Sequence, residues 1–206
     1  MNASAKQITV VIPYYNGDAH IEDALGSVAG QTRPPAETII VDDGSSEPSA
    51  AYLESLGAKY AFRLIRQANS GQGGARNTGF ENAKTELVAL LDQDDLWYPR
   101  HLEALLAAGD WEADFGWVYS NADAIFEDGS FFQYSFLDTF KKVSHPKRSL
   151  IECLERDMFV VPSGSLVSVE AHRKVGGFDP RLKGYEDDDF FTRCFAAGFR
   201  NAYLRE

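Results

Sequence analysis

Short unbroken apolar runs alternate along the chain with stretches whose apolar residues recur at every third or fourth position. Ile8 to Ile12 is such a run, closed by Pro13, and reads as a buried strand. Ile21, Ala24, Leu25 and Val28 then fall at helical spacing, with Asp18 placed as the cap. Thr38 to Val41 is a second buried strand ending at Asp42-Asp43-Gly44, followed by a helix over about 50–56 and a strand near 62–66. A Gly-rich segment, Asn69 to Asn77, leads into a helix to about Lys84, and Leu87 to Leu91 is the next apolar strand. Asp92-Gln93-Asp94-Asp95 closes that strand, and Pro99 stands at the favoured first position of another helix, for which Asp95 could be the cap.

Past Trp111 the pattern changes. Short strands are expected over 115–120, 124–126 and 130–134, with Asp128-Gly129 as a hairpin signal. A helix follows over 149–156, then a strand near 166–169 and a last helix with Phe190, Phe191, Cys194 and Phe195 on one face. Strand and helix in this rhythm predict an α/β fold, a mostly parallel central sheet flanked by helices. Ligands of such sheets bind beyond the carboxyl ends of the strands, where the acidic and Gly-rich motifs fall. With no internal repeat or linker in view, residues 1–206 read as one domain. About 1–110 would face a nucleotide, and about 111–206 an acceptor.

Composition sharpens this picture mainly by exclusion. A hydrophobic fraction of 44% and a charged fraction of 25% suit a globular domain, not a disordered one. The net charge of -11 argues against nucleic acid as partner, which needs clustered Lys and Arg. Cys153 and Cys194 are too few for a disulfide scaffold and read as buried thiols. No apolar run is long enough to span a membrane and residues 1–7 carry no signal-peptide core, so the expected location is cytoplasmic, with peripheral attachment at the inner face of the membrane left open.

The sharpest chemical signal is Asp92-Gln93-Asp94-Asp95. Three carboxylates at one strand end raise each other's pKa unless a cation neutralises them, and Mn²⁺ or Mg²⁺ prefers carboxylate oxygens together with substrate phosphates. Capping a helix would account for one of the three. Asp42-Asp43-Gly44-Ser45 reads either as a turn or as an acidic contact to ribose or base. Pro13-Tyr14-Tyr15-Asn16 offers aromatics that could stack on a base. The Ser70–Asn77 loop lets backbone N–H groups approach an anion and carries Arg76, yet lacks the Gly-Lys-Ser/Thr ending of a P-loop. Glu186-Asp187-Asp188-Asp189 at a helix start suits the helix dipole, but the aromatics that follow would put some of these acids against an apolar wall, as suits a general base. Phe131, Phe132, Tyr134 and Phe136 could form a sugar-stacking or membrane-facing surface, though aromatics are more often core.

In order and together, these segments resemble the family 2 glycosyltransferases of the GT-A fold. The residues that carry the resemblance are Ile8 to Asn16, Ile40 to Ser45, Gly73 to Asn77, Asp92 to Asp95, Gly176 to Asp179 and Glu186 to Asp188. The resemblance implies an inverting transfer of sugar from a nucleoside-diphosphate-sugar, with a UDP-sugar favoured, onto a glycan or glycolipid acceptor. By the same resemblance Pro13, Tyr15, Asp43 and Arg76 line the nucleobase pocket with Asp42 nearby. Asp92 touches ribose and metal, Asp94 is the main ligand of the divalent cation, and Asp187 is the base, with Glu186 and Asp188 as flanking candidates. Many relatives continue into further helices, whereas this chain is expected to stop soon after its last helix. None of His20, His101, His145 or His172 lies where some relatives supply a metal-binding His.

Rival classes fit less well. A metal-dependent phosphohydrolase needs a hydroxyl residue just after the acids, where Leu96 and Trp97 stand. A sugar nucleotidyltransferase would open with a basic Gly-rich loop where this chain has Pro13 to Gly17. A catalytically incomplete sugar-nucleotide-binding module is the non-enzymatic alternative.

Overall fold

The alternation of apolar runs and helical spacings becomes a three-layer structure in the computed structural model, which describes residues 6–139, 145–147, 149–156 and 160–205. Seven strands form one sheet in the order β3-β2-β1-β4-β8-β5-β9. They are β1 (Ile8–Tyr14), β2 (Glu37–Asp42), β3 (Arg63–Arg66), β4 (Leu87–Leu90), β5 (Phe115–Ser120), β8 (Ser165–Ser168) and β9 (Arg200–Leu204). β8 runs antiparallel to both β4 and β5, and every other pairing is parallel. The order fits the sequence rhythm: each early strand is followed by a helix that returns the chain to the same edge.

Every residue of β1 is buried, and its side chains alternate between two cores. Val10 and Ile12 face a cluster with Leu25, Leu53, Leu102 and Leu105. These come from α1 (Ile21–Ala29), α2 (Glu47–Leu56) and α4 (His101–Ala108). Val11 faces the opposite cluster with Ile39, Phe80, Trp117, Phe178 and Phe190. That side is covered by α3 (Gly71–Asn82), α7 (Val169–Val175) and α8 (Glu186–Ala196). Each such large side chain contributes on the order of 1.5–3 kcal/mol by leaving water. α3 lies so close to the sheet that a Cβ at Gly79 would fall 2.2 Å from Val11 Cγ1, so only glycine fits there. Cys153 and Cys194 are free and buried, as expected.

The remaining elements are a separate two-stranded hairpin, β6 (Ala124–Ile125) and β7 (Phe131–Gln133), with α5 (Phe136–Thr139), α6 (Leu150–Arg156) and a 3₁₀ turn at Pro162–Gly164. The hairpin turns at Asp128-Gly129, where Asp128 Oδ1 accepts Ser130 N–H at 2.9 Å and Gly129 has φ +79°. No helix among the described residues is long and apolar enough to cross a membrane.

Several local expectations are corrected. Asp18 does not cap α1; it accepts hydrogen bonds from Tyr14 Oη and Ser49 Oγ instead, because those two donors converge on it from the end of β1 and the start of α2. Asp95 does not cap α4, which begins at His101 without a side-chain cap. A strand not expected from the sequence, β9, follows α8 and pairs in parallel with β5. Helix α7 lies between the expected strand and the Gly176-Gly177 pair, capped by Ser168 at its start and by left-handed Gly176 at its end. Phe131, Phe132 and Tyr134 are exposed, not core; Phe131 stacks on Tyr134 and Phe132 meets Phe126, whereas Phe136 is partly buried and packs against the core.

Candidate active site

Parallel pairing puts the carboxyl ends of β1, β2 and β4 on one edge of the sheet. Antiparallel β8 brings its amino end, and the Pro162–Gly164 turn before it, to the same edge. Four loops therefore meet there, and their hydrogen bonds set the site.

At the end of β2 both acids are buried and occupied. Asp42 Oδ1 accepts Ser45 N–H at 2.9 Å, with Arg66 Nε 3.5 Å from Oδ2. Asp43 accepts the N–H groups of Ser70 and Gly71 at 2.9 and 2.8 Å and the Gln67 amide at 2.7 Å. Its negative charge sits at the amino end of α3, where the helix dipole favours it. Pro13 is buried in β1, while Tyr15 is exposed just beyond it. The Tyr15 N–H donates to Gln93 Oε1 at 2.9 Å, so the residue between Asp92 and Asp94 ties the β1 loop to the acidic loop.

The acidic loop after β4 is held from the Pro162–Gly164 turn before β8. Asp92 N–H donates to Ser163 Oγ at 2.9 Å, Ser163 Oγ–H donates to Asp95, and Trp97 Nε1–H donates to the Ser163 carbonyl at 2.5 Å. Burial pushes the Asp95 carboxyl up to about 6; the charges of Asp92 and Asp94 add to this, while the Ser163 bond and Arg76 oppose it. Asp94 is exposed and forms no hydrogen bond or ion pair with a described residue.

Arg76 on α3 is fully buried and joins the two acidic segments. One terminal nitrogen lies 2.8 and 3.1 Å from the two Asp92 oxygens, and the other lies 3.3 Å from Glu186 Oε1. The guanidinium stacks over Phe178 at 5.5 Å, and its Nε has no partner among the described residues. Glu186 is further held by Gly184 N–H at 2.9 Å. Asp189 pairs with Arg193, whose guanidinium also donates to the carbonyls of Val175 and Gly177. Asp187 is half-buried; desolvation raises its pKa against the opposing effects of the Asp188 N–H and Arg76. Asp188 is half-buried beside it.

Beneath α8 the Gly176–Asp179 loop is clamped by Asn77, whose side-chain amide bonds both the N–H and the carbonyl of Phe178 at 2.8 Å. His172 Nε2 completes the clamp 2.9 Å from Asn77 Oδ1. Gly177 has φ +74°, and a Cβ there would lie 2.5 Å from the same Oδ1, so glycine is required. A cleft of about 420 Å³ opens between Asn69–Gly73 and Pro180–Gly184, reaching Glu186.

The edge thus brings Asp43, Arg76, Asp92, Glu186 and Asp187 into one connected region, with Tyr15 and Asp94 at its rim. Sequence reasoning missed Gln93, Ser163 and Asn77. Gln93 was the spacer of an acidic motif, and Asn77 the end of a Gly-rich one. The Pro162-Ser163-Gly164 turn signal was visible, but not its partner.

A family model described as Glycosyl transferase family 2 matches residues 9–176. This chain belongs to that family. The succinoglycan biosynthesis protein ExoW of Rhizobium meliloti is 42% identical over 118 residues, covering 54% of this chain and 37% of ExoW. The putative glycosyltransferase EpsH of Bacillus subtilis is 33% identical over 194 residues, covering 91% of this chain and 55% of EpsH. The chain therefore spans between about a third and just over half of these relatives. Among solved structures, TarS of S. aureus superposes with a TM-score of 0.73 at 22% identity, covering 97% of this chain and 35% of TarS. A mannosyltransferase from Pyrobaculum calidifontis, solved in complex with GDP-Man and Mn²⁺, also gives 0.73 at 20% identity, covering 98% of this chain and 56% of its own. The shared fold is the GT-A type, and the expected α/β architecture is this one.

Within the family 2 frame, the donor set of the acidic loop can be judged on its chemistry. Among the described residues no group of three His, Cys, Asp or Glu converges on a ready-made metal site. The exposed Asp94 with the half-buried Asp92 fits a hard cation that takes one or two carboxylates and completes its shell from substrate phosphates. Burial is the main cause of the raised Asp95 pKa, and the smaller contribution from the charges of Asp92 and Asp94 is the repulsion such a cation would relieve.

Proposed function

We propose that this domain transfers a sugar from a nucleoside-diphosphate-sugar to a hydroxyl of a glycan or glycolipid acceptor, with inversion at the anomeric carbon. The observation that carries the reading is the Arg76 bridge: one buried guanidinium holds the acidic loop and the start of α8 together, and Glu186 at its α8 end also lines the cleft. On this reading the acidic loop is the donor diphosphate side, the start of α8 is the base side, and Arg76 ties the two together. UDP-sugar is the favoured donor; TarS has been solved with UDP and UDP-GlcNAc, and the Pyrobaculum enzyme with GDP-Man.

In this proposal Asp187 accepts the proton of the acceptor hydroxyl as that oxygen attacks the anomeric carbon. The bond to the diphosphate breaks, and the nucleoside diphosphate departs with the electron pair. Partial desolvation of Asp187 supports this assignment, because it raises the proton affinity a base needs. Glu186 is engaged by Arg76 and Gly184, and Asp189 by Arg193, which leaves both less suited to move a proton. Asp94 and Asp92 are the oxygen donors for Mn²⁺ or Mg²⁺, which when bound supplies charge neutralisation for the leaving diphosphate. Pro13, Tyr15 and Asp43 are the residues proposed for the nucleobase, with Asp42 nearby; Arg76, expected from the resemblance as a fourth, is instead fully buried between Asp92 and Glu186.

The deciding experiment is the thermal unfolding midpoint against a panel of nucleoside diphosphates, each with and without Mn²⁺. Ligand that binds the folded state raises the midpoint by mass action. One diphosphate should raise it only with the metal, and Asp94→Ala should abolish the rise. If no diphosphate raises the midpoint under either condition, the transferase reading is wrong and a non-enzymatic module takes its place.

A further inference from the structure

Three aromatic rings stand in water where no core covers them. Tyr98, Phe131 and Tyr134 are 62%, 48% and 63% exposed. They are nevertheless ordered by specific contacts. Phe131 and Tyr134 stack at 4.6 Å with an interplanar angle of 19°. Tyr98 Oη–H donates to Asp123 Oδ2 at 2.8 Å, while Asp123 Oδ1 accepts Ser135 N–H, next to Tyr134, at 2.7 Å. The Tyr134 hydroxyl also lies within electrostatic reach of Tyr98. Tyr98 itself follows the acidic loop by three residues and is anchored through its carbonyl to Gln31. Tyr98, three residues past Asp95, is thus linked through Asp123 and the Ser135 N–H to the Tyr134 end of the hairpin.

We propose that Tyr98, Phe131 and Tyr134 form a stacking platform for the acceptor glycan, extending away from the acidic loop. The inference rests on the transferase reading and specifies its acceptor as a neutral saccharide chain. Ordered, exposed aromatic surface on a soluble domain marks an interaction site. A pyranose offers an apolar C–H face to such rings and hydroxyls around its rim. Here the rim is supplied by the Tyr98 and Tyr134 hydroxyls and the Asp123 carboxylate. A membrane surface fits less well, because the hairpin tip carries Glu127 and Asp128, both exposed, in a chain of net charge -11. An anionic leaflet would repel that tip, whereas lipid-binding segments are basic.

Stacking of this kind tolerates differences in sugar identity, so the probe can be a panel of neutral hexasaccharides: cellohexaose, laminarihexaose and maltohexaose. Binding to the whole chain is read by saturation-transfer NMR at millimolar concentration. At least one hexasaccharide should bind, with its saturation signal on ring protons of the sugar. The double variant Phe131→Ala/Tyr134→Ala should weaken it about tenfold, and Tyr98→Phe by about threefold. Both rings are exposed, so the double variant should keep the unfolding midpoint and the nucleoside diphosphate response with Mn²⁺. Failure of every hexasaccharide to bind, or equal binding by the double variant, overturns the platform. So does co-sedimentation with phosphatidylglycerol–phosphatidylethanolamine vesicles that is lost in the double variant. If a hexasaccharide binds through these rings while no diphosphate shifts the midpoint, the platform stands and the transferase reading fails.

Discussion

The acidic loop Asp92–Asp95 and the acidic turn Glu186–Asp189 look alike in sequence and hold their charges differently. The loop is tied down by one neutral residue in the turn before β8, Ser163, which bonds both ends of it, and by one end of the shared Arg76 on Asp92, while one of its acids, Asp94, stays exposed. The turn opens an eleven-residue helix and is tied down by cations, Arg76 on Glu186 and Arg193 on Asp189. Asp187, between those paired acids, is left desolvated with its proton affinity raised. A loop with an outward acid suits a cation and phosphates. A helix start with a half-buried, desolvated acid suits proton transfer. What separates the two is the kind of partner that reaches each acid, which their spacing along the chain does not reveal.

The comparison breaks most sharply at Asp187. Asp187→Asn should lower turnover by about 10²–10⁴-fold while leaving the diphosphate-induced rise in midpoint intact. In the wild type, turnover should rise with pH as Asp187 loses its proton, and the lower limb should begin above that of an unperturbed carboxylate because desolvation favours the neutral form. Steady-state rates across pH test both statements. A crippled Asp188→Asn beside a near-normal Asp187→Asn would move the base by one residue.

Next in size is the shared cation. Arg76→Leu leaves Asp92 and Glu186 without their buried partner and should cost about 3–5 kcal/mol in urea unfolding at neutral pH. Arg76→Lys should recover little, because one ammonium cannot reach both carboxylates in the guanidinium geometry. A loss below about 1 kcal/mol for Arg76→Leu, the range of an exposed pair, would mean the two segments are not coupled through this residue.

Smaller effects separate the two supports. Ser163→Ala removes the acceptor of Asp92 N–H and the donor to Asp95, and should cost about 1–3 kcal/mol by the same unfolding measurement. The support of the acidic turn titrates instead. Burial, with the Arg193 charge, holds the His172 imidazole down at about 4, so it stays neutral in its stack against Phe80 and its bond to Asn77. Its folded pKa lies below its unfolded value, so its stabilising contribution is complete above about 6.5 and declines as pH falls toward 4. Between those limits the protein should lose about 1–3 kcal/mol from this group, with the His172→Phe variant showing a shallower decline. Hydrogen exchange should find the Gly176–Asp179 backbone loosening before the Asp92–Asp95 loop; the reverse order would show that the Ser163 anchor is the weaker of the two.

Much of this architecture was legible because periodicity reports which face of an element is buried. The runs at 8–12, 38–41 and 87–91 became β1, β2 and β4, and the spacing of Ile21, Ala24, Leu25 and Val28 became the buried face of α1. The acids were correctly located at strand and helix ends, since a charged run must leave a buried strand. The helix caps were read less well, because an Asp before a helix competes for any nearby donor, and Asp18 and Asp95 found hydroxyls instead. The short strand β9 escaped notice: Arg200 and Asn201 begin it with polar side chains, and it takes its order from pairing with β5.

By itself, then, the sequence determined the alternation of strand and helix, the edge on which the motifs collect and the residue types available there, all of which follow from local spacing and from the cost of burying charge. The tertiary structure decided which charges are paired, which acid is left desolvated and which aromatics face water. Arg76 meets Glu186 across 110 positions, and Ser163 meets Asp95 across 68. Such contacts depend on how the sheet is ordered and which strand runs backwards, and a pairwise contact across space leaves no periodic trace in either partner. The exposed aromatics of the hairpin are a case in point: from the sequence, Phe131 and Tyr134 are expected more often in the core, and the structure leaves both in water, stacked on each other.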